Sequence, residues 1–239
     1  MTDFVVNIYS EFKRTIKQTQ CISEDTLLIA AISGGADSTA MLDLLVRLRN
    51  TDISYNLFAT HFDHQLRPES SNEAQIVQNQ CNLLGVELFI GSGDIAAESA
   101  RQRRSEHDIA RELRYKFFAQ TALNLKEDLS SDKMPIIVTA HHFDDQVETV
   151  LMRLFRGSGL SGLSGIRSSF EWSEQPKVKV IRPLLEFRHE QLMEYCQRLQ
   201  LEFVIDPSNA DVNYPRNKVR HEIIPVIVDK IGSVALHGI

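Results

Sequence analysis

The feature that most constrains this chain is an alternation in which short apolar runs recur between longer amphipathic stretches. That is the pattern of strand, crossover helix and parallel strand, since a strand covered on both faces reads as a continuous apolar run while its covering helix is apolar on one side. Leu27 to Ile32 reads as a buried strand, followed by a turn at Ser33-Gly34-Gly35 and a helix from about Asp37 to Arg49. Tyr55 to His61 reads as a second strand with its helix at Ser71 to Leu84, and Val86 to Ile90 as a third strand. A helix follows from Glu106 to Leu123, then a fourth strand from Ile136 to Ala140 and a helix from Asp144 to Phe155. A last strand around Val178 to Ile181 leads through Arg182-Pro183 into a helix from about Arg188 to Leu199, and Phe203 to Ile205 returns as a strand. The expected fold is α/β: a doubly wound, mainly parallel sheet with helices on both faces, spanning residues 1–215, with a short helical extension over 216–239.

Between these elements, Gly157-Ser158-Gly159-Leu160-Ser161-Gly162 cannot favour a helix and is expected to form a mobile loop beside the active site, while 128–135 reads as a surface loop. No apolar run approaches the roughly 18 residues that cross a bilayer, and the start lacks a secretory signal, so a cytoplasmic protein without membrane association is expected, or a stromal one if the gene is a plastid's. Cys21, Cys81 and Cys196 are odd in number and far apart, which suggests inert buried thiols rather than a disulfide framework or zinc site. A net charge of −6 excludes a uniformly basic nucleic-acid coat, so any RNA contact must be local. Arg101, Arg103, Arg104, Arg111, Arg114 and Lys116 supply one basic stretch, against Glu106, Asp108 and Glu112. A solvated helix face laced with ion pairs is the plainer reading of the same residues.

Open α/β sheets bind ligands beyond the carboxyl ends of their strands. After the first strand stands Ser33-Gly34-Gly35-Ala36-Asp37-Ser38, where glycines permit a tight turn and the helix start presents free N–H groups to an anion. This makes a phosphate or pyrophosphate cradle, but neither a Walker loop nor a dinucleotide fingerprint, because the spacings of both are absent. His61-Phe62-Asp63-His64-Gln65-Leu66-Arg67 follows the second strand, and His141-His142-Phe143-Asp144-Asp145-Gln146-Val147-Glu148-Thr149 follows the fourth. Ionisable groups at three strand ends of one sheet would meet in one cleft. A hydrolytic zinc centre is disfavoured, since it would not need the Ser-Gly-Gly turn; magnesium bridging nucleotide phosphates fits better.

These motifs resemble the catalytic domain of the tRNA(Ile)-lysidine synthetase family, within the N-type ATP pyrophosphatases. The hexapeptide at Ser33 to Ser38 matches the pyrophosphatase loop of the superfamily; the later motifs discriminate within it. His61 to Arg67 resembles the family's His-x-x-His-Gly-Leu-Arg, with Gln65 at the usual glycine. Ala110 to Tyr115 matches Ala-Arg-x-x-Arg-Tyr, and Ala140 to Thr149 contains His-His-x-Asp-Asp-Gln-x-Glu-Thr. The run continues through Arg156 to Gly159, Gly162-Leu163, Arg182 to Leu185, Asp206-Pro207-Ser208-Asn209 and Arg216-Asn217 with Arg220. The likeness spans about residues 25 to 225, while many members carry further tRNA-holding domains beyond the point where this chain stops, at Ile239.

The resemblance implies ATP and Mg²⁺ as cofactors, and tRNA(Ile) with a CAU anticodon and L-lysine as substrates. The wobble cytidine's C2 oxygen would attack the α-phosphate of ATP, and the lysine ε-amine would then displace AMP. On this reading Ser33, Gly34, Gly35, Ala36, Asp37, Ser38 and His61 bind the nucleotide, and Asp37 positions the metal. Asp144, Asp145 and Glu148 share a helix face and bind the ammonium groups of lysine, and His141 is a proton acceptor. Asp37, His141, Asp144, Arg111 and Arg114 form the expected catalytic set, while Arg101, Arg103, Arg104, Arg111, Arg114, Arg216 and Arg220 are expected to grip the RNA. A homodimer is left open. A tRNA thiolase of the same superfamily would need a nucleophilic cysteine or cluster-binding pair, which the sequence does not offer at the cleft. An amidotransferase-type synthetase is disfavoured because the later motifs match the tRNA family so well, and an idle RNA-binding module is the alternative from outside enzymes.

Overall fold

The strands of the computed structural model are Leu27–Ala31 (β1), Asn56–Asp63 (β2), Glu87–Ser92 (β3), Ile136–Thr139 (β4), Ser169–Trp172 (β5) and Val178–Ile181 (β6). The structure describes residues 3–64, 70–159, 162–172, 177–206 and 211–238. The strands form one sheet in the order β3-β2-β1-β4-β6-β5, parallel throughout except for β5, which pairs antiparallel to β6 at the edge. The order reverses at β1, which pairs Leu28 with Leu57 of β2 on one side and with Ile136 of β4 on the other. A crevice opens at such a switch point, beyond the strand carboxyl ends.

The central strands are covered on both faces, and their alternate residues feed separate cores. Leu28, Ala30, Ile136, Val138 and Ile181 join one core with Asp3–Thr19 (α1), Ala36–Thr51 (α2), Ser70–Leu83 (α3) and His189–Arg198 (α7). Leu27, Ile29, Ile137, Val178 and Val180 join the other, under Ile95–Gln102 (α4) and Glu106–Asp128 (α5). Phe143–Phe155 (α6) starts just beyond β4 and packs Val147 and Leu151 against Val219 and Leu236 of the C-terminal segment. That segment runs through Pro215–Lys218 (α8), a wider π turn at Val219–Ile223 and Ile224–Ile231 (α9). Buried Asp43 of α2 is bonded by Arg47 and by the Tyr195 hydroxyl of α7, which fixes how these two helices meet at the sheet end. No described helix is long and apolar enough to cross a membrane.

The structure departs from the sequence reading in three places. Phe203 to Ile205 is not a strand: both edges of β1 are filled by β2 and β4, so the returning chain bonds instead to the loop after β1, Val204 N donating to Gly34 O at 2.9 Å, and to α3, where Gln80 donates to Glu202 O. The antiparallel edge strand β5 was not anticipated; it is short, and its residues are exposed or half-buried in alternation. Helices α1 and α4 were also unread, although Val5, Ile8, Phe12 and Ile16 form a buried stripe at helical spacing.

Candidate active site

The ends of β1, β2 and β4, with the starts of α2 and α6, surround a cleft of about 470 Å³. Its floor is the turn at Ser33 to Ser38. Gly34 takes φ +90°, and a Cβ there would lie 3.2 Å from Val77 and 3.4 Å from Val204, so both backbone freedom and the missing side chain are used. Ser38 Oγ donates to Gly35 O at 3.0 Å and lies 3.1 Å from Ser33 Oγ, which folds the turn back onto the helix start. Gly35 caps α2 without any side-chain bond, so the first N–H groups of α2 remain open to an anion. Ala36 is buried in the core and contributes only backbone.

Across the cleft, buried His61 places Nδ1 2.8 Å from Ile32 O, which orients its ring. His141 Nδ1 lies 3.1 Å from Thr139 Oγ1. Burial, reinforced by the positive charges of Arg182, Arg114 and Arg111 against the pull of Asp145, pushes His141 down to about 3, so its ring is neutral. Arg111 and Arg114 lie over the Tyr115 ring at 4.8 and 5.8 Å, giving this wall a positive field. Arg182, which the sequence reading left out of the site, belongs to the same wall and donates to Arg167 O at 2.6 Å.

Asp37 sits in the second turn-facing cluster. Its Oδ1 is 2.8 Å from His189 Nδ1, and its Oδ2 is 3.6 Å from His142 Nε2. His189 is raised above its ordinary value, mainly by the bond to Asp37. Burial pulls His142 down, but the bond to Asp144 and the charges of Asp145 and Asp37 outweigh it, and the net shift is upward. Neither histidine was named among the expected site residues. His189 stands at a helix start far along the chain, with no local motif to single it out.

The acidic trio does not present one open face. Asp144 turns toward α7 and accepts the backbone N–H of His189 at 2.7 Å. Asp145 accepts from Arg216 at 2.7 Å, and fully buried Glu148 accepts from Arg216 at 2.6 Å and Arg220 at 2.5 Å. The physical reason is burial: a carboxylate with no water must take a cation, and the C-terminal segment supplies two. Arg216 and Arg220 are thus committed to carboxylates rather than turned outward to RNA.

The basic stretch also divides. Arg101 pairs with Glu98 and Arg104 with Glu112, so the ion-paired helix face is what these two form. Arg103 ends α4 in the left-handed region at φ 54° and is exposed, whereas Arg111 and Arg114 face the cleft wall. Gln65 to Arg67, Leu160 and Ser161 of the glycine-rich loop, and Pro207 to Asn209 lie outside the described residues.

The description "PP-loop domain" matches this chain over residues 7–227. The tRNA(Ile)-lysidine synthase of Thermosipho africanus is 33% identical over 222 residues, covering 93% of this chain and 48% of that protein. The one from Clostridium tetani is 35% identical over 234 residues, covering 98% and 46%. The chain therefore spans about half the length of the curated relatives it matches. Among solved structures, the U34-tRNA thiolase NcsA from Methanococcus maripaludis, with its [4Fe-4S] cluster, superposes with a TM-score of 0.72 at 15% identity, covering 98% of this chain and 76% of that one, a likeness of fold.

Proposed function

The chain belongs to the PP-loop domain family, and from that premise we propose that it is the catalytic domain of a tRNA(Ile)-lysidine synthetase. It uses ATP to adenylate the wobble cytidine of a CAU anticodon and joins lysine to that carbon, forming a carbon–nitrogen bond. Such a ligase works where its tRNA is, in the cytoplasm or a plastid stroma.

One observation carries the reading: the uncapped start of α2, Arg114 and the neutral ring of His141 line one cleft, and Arg111 and Arg182 lie close enough to add their positive charge to it. The N–H groups of α2, with the Ser33 and Ser38 hydroxyls, hold the pyrophosphate as it leaves. The arginine wall stabilises charge on the adenylate and orients the RNA phosphate. Asp37 is part-exposed at the cleft, and a single carboxylate completed by phosphate oxygens and water is a donor set that suits Mg²⁺, so Asp37 would hold it. Bound there, such an ion would supply positive charge to the phosphates. His141 takes the proton that the lysine ammonium must lose; burial first and then the arginine charges depress its basicity, and an anion beside the arginines offsets the second of these. Of the acidic trio, Asp145 lines the cleft and receives a lysine ammonium group, while Asp144 is held by the His189 N–H and Glu148 holds Arg216 and Arg220 in place behind it.

A thiolase reading lacks its nucleophile, since no cysteine lines the cleft among the described residues. The decisive test incubates the protein with ATP, radiolabelled lysine and unmodified isoleucine tRNA bearing CAU. Label in the RNA is expected; pyrophosphate release without label would move the chain to another member of the superfamily.

A further inference from the structure

Among the described residues, Asp37, His142 and His189 form a group whose donor atoms all lie within 4.8 Å of one another. The three come from the starts of α2, α6 and α7, so the convergence is made by the sheet end rather than by a local motif. Each oxygen of Asp37 faces one imidazole, at 2.8 Å for His189 and 3.6 Å for His142. The far ring nitrogen of His142, Nδ1, lies 3.5 Å from Asp144 Oδ2, and Asp144 is itself held by the His189 backbone N–H at 2.7 Å. His142 Nδ1 also accepts the Asp145 N–H at 3.4 Å, so a metal on Nε2 requires that bond to give way to donation toward Asp144, the carboxylate-behind-imidazole arrangement that orients metal-bound histidines. Asp145 Oδ2 lies 3.5 Å from His142 Nε2 and adds further negative charge.

We propose that Asp37, His142 and His189 form a binding site for a transition-metal dication of the zinc class, with two imidazole nitrogens and one carboxylate oxygen as protein ligands and one position left open. Nitrogen donors select such ions over magnesium, which takes oxygen ligands. A tetrahedral zinc site separates its ligand atoms by about 3.3 Å, so the group must tighten from its present spacing. His189, 42% exposed, has the room to move, and the same exposure is the entry path. An ion held here occupies the carboxylate that adenylation assigns to magnesium, so the two uses of Asp37 exclude each other.

The test uses metal-free protein and Co²⁺ as a spectroscopic stand-in, with no ATP, lysine or RNA present, so its outcome is independent of the lysidine reading. Visible d–d bands of a low-coordinate site are expected to saturate at one equivalent, to vanish on adding Zn²⁺ and to persist in a large excess of Mg²⁺. His189→Ala should weaken binding by more than about tenfold while keeping the parent's circular dichroism, and Asp37→Asn should do the same. Replacing His107, which is outside this group, should change nothing. The proposal is overturned if the parent gives no such bands, if they survive unchanged in His189→Ala and Asp37→Asn, or if the His107 variant abolishes them.

Discussion

At the scale of single residues, the site is decided by which charges are matched. Glu148 has no exposure and both its oxygens are taken, whereas Arg216 and Arg220 keep 37% and 31% exposure. Glu148→Gln should therefore cost about 2–3 kcal/mol of unfolding free energy, below the range for a fully buried pair because the freed guanidiniums regain water. Urea denaturation midpoints measure this, and a lysine Michaelis constant that rises with an unchanged one for ATP would tie the same carboxylate to lysine. Asp37→Ala behaves oppositely. The residue lies in the first turn of α2 with Gly35 as the cap, so its loss should alter stability by no more than about 1 kcal/mol. ATP–pyrophosphate exchange should nevertheless disappear, and normal exchange in the folded variant would remove Asp37 from the chemistry. His64 reports on pH. Burial, then the charges of Arg114 and His61, pushes it down to about 4 from 6.5, so folding favours the neutral ring. Its stabilisation is complete above pH 6.5 and is lost as the pH falls through 4. His64→Phe removes that titration, and its thermal midpoint should vary less than the parent's between those two values.

At the scale of elements, the loop joining β1 to α2 works because Gly34 adopts φ +90° and leaves room for Val77 and Val204. Gly34→Ala should cost about 1–2 kcal/mol for the left-handed backbone, with more from crowding against Val77. Because Gly34 O also receives Val204 N, the variant should loosen the 201–206 segment, which hydrogen exchange at Val204 can detect. Unchanged exchange would mean that segment is held by other contacts. The elements themselves were largely legible. The apolar runs at Leu27 and Ile136 became β1 and β4, and the Ser-Gly-Gly turn opened α2 as expected. The run at Phe203 misled because three apolar residues in a row guarantee neither burial nor a free sheet edge: Phe203 and Val204 are half-buried and Ile205 is exposed. The edge strand β5 stayed hidden since half its residues face outward and no continuous apolar run marks it.

At the scale of the whole molecule, a chain of net charge −6 must confine any RNA grip to a local field. Arg101 and Arg104 already have carboxylate partners, while Arg111 and Arg114 lie along the cleft wall. Replacing Arg111 and Arg114 together should lower the slope of log affinity against log salt by roughly one to two, and replacing Arg101 and Arg104 by clearly less. Filter binding of tRNA over a salt series distinguishes the two; equal slopes would return the grip to the helix face. The sequence by itself determined the order of strands and helices, the glycine turn after β1 and the gathering of Asp37, His61 and His141 at one sheet end, because apolar period and turn chemistry are written within a few consecutive residues. Only the tertiary structure decided what those groups touch. Asp37 meets His189 across 152 positions, and Glu148 meets Arg216 across 68. Such partners depend on the angle and register at which packed helices meet, and no short window of sequence encodes either; burial then forces each carboxylate onto whichever cation that packing brings within reach.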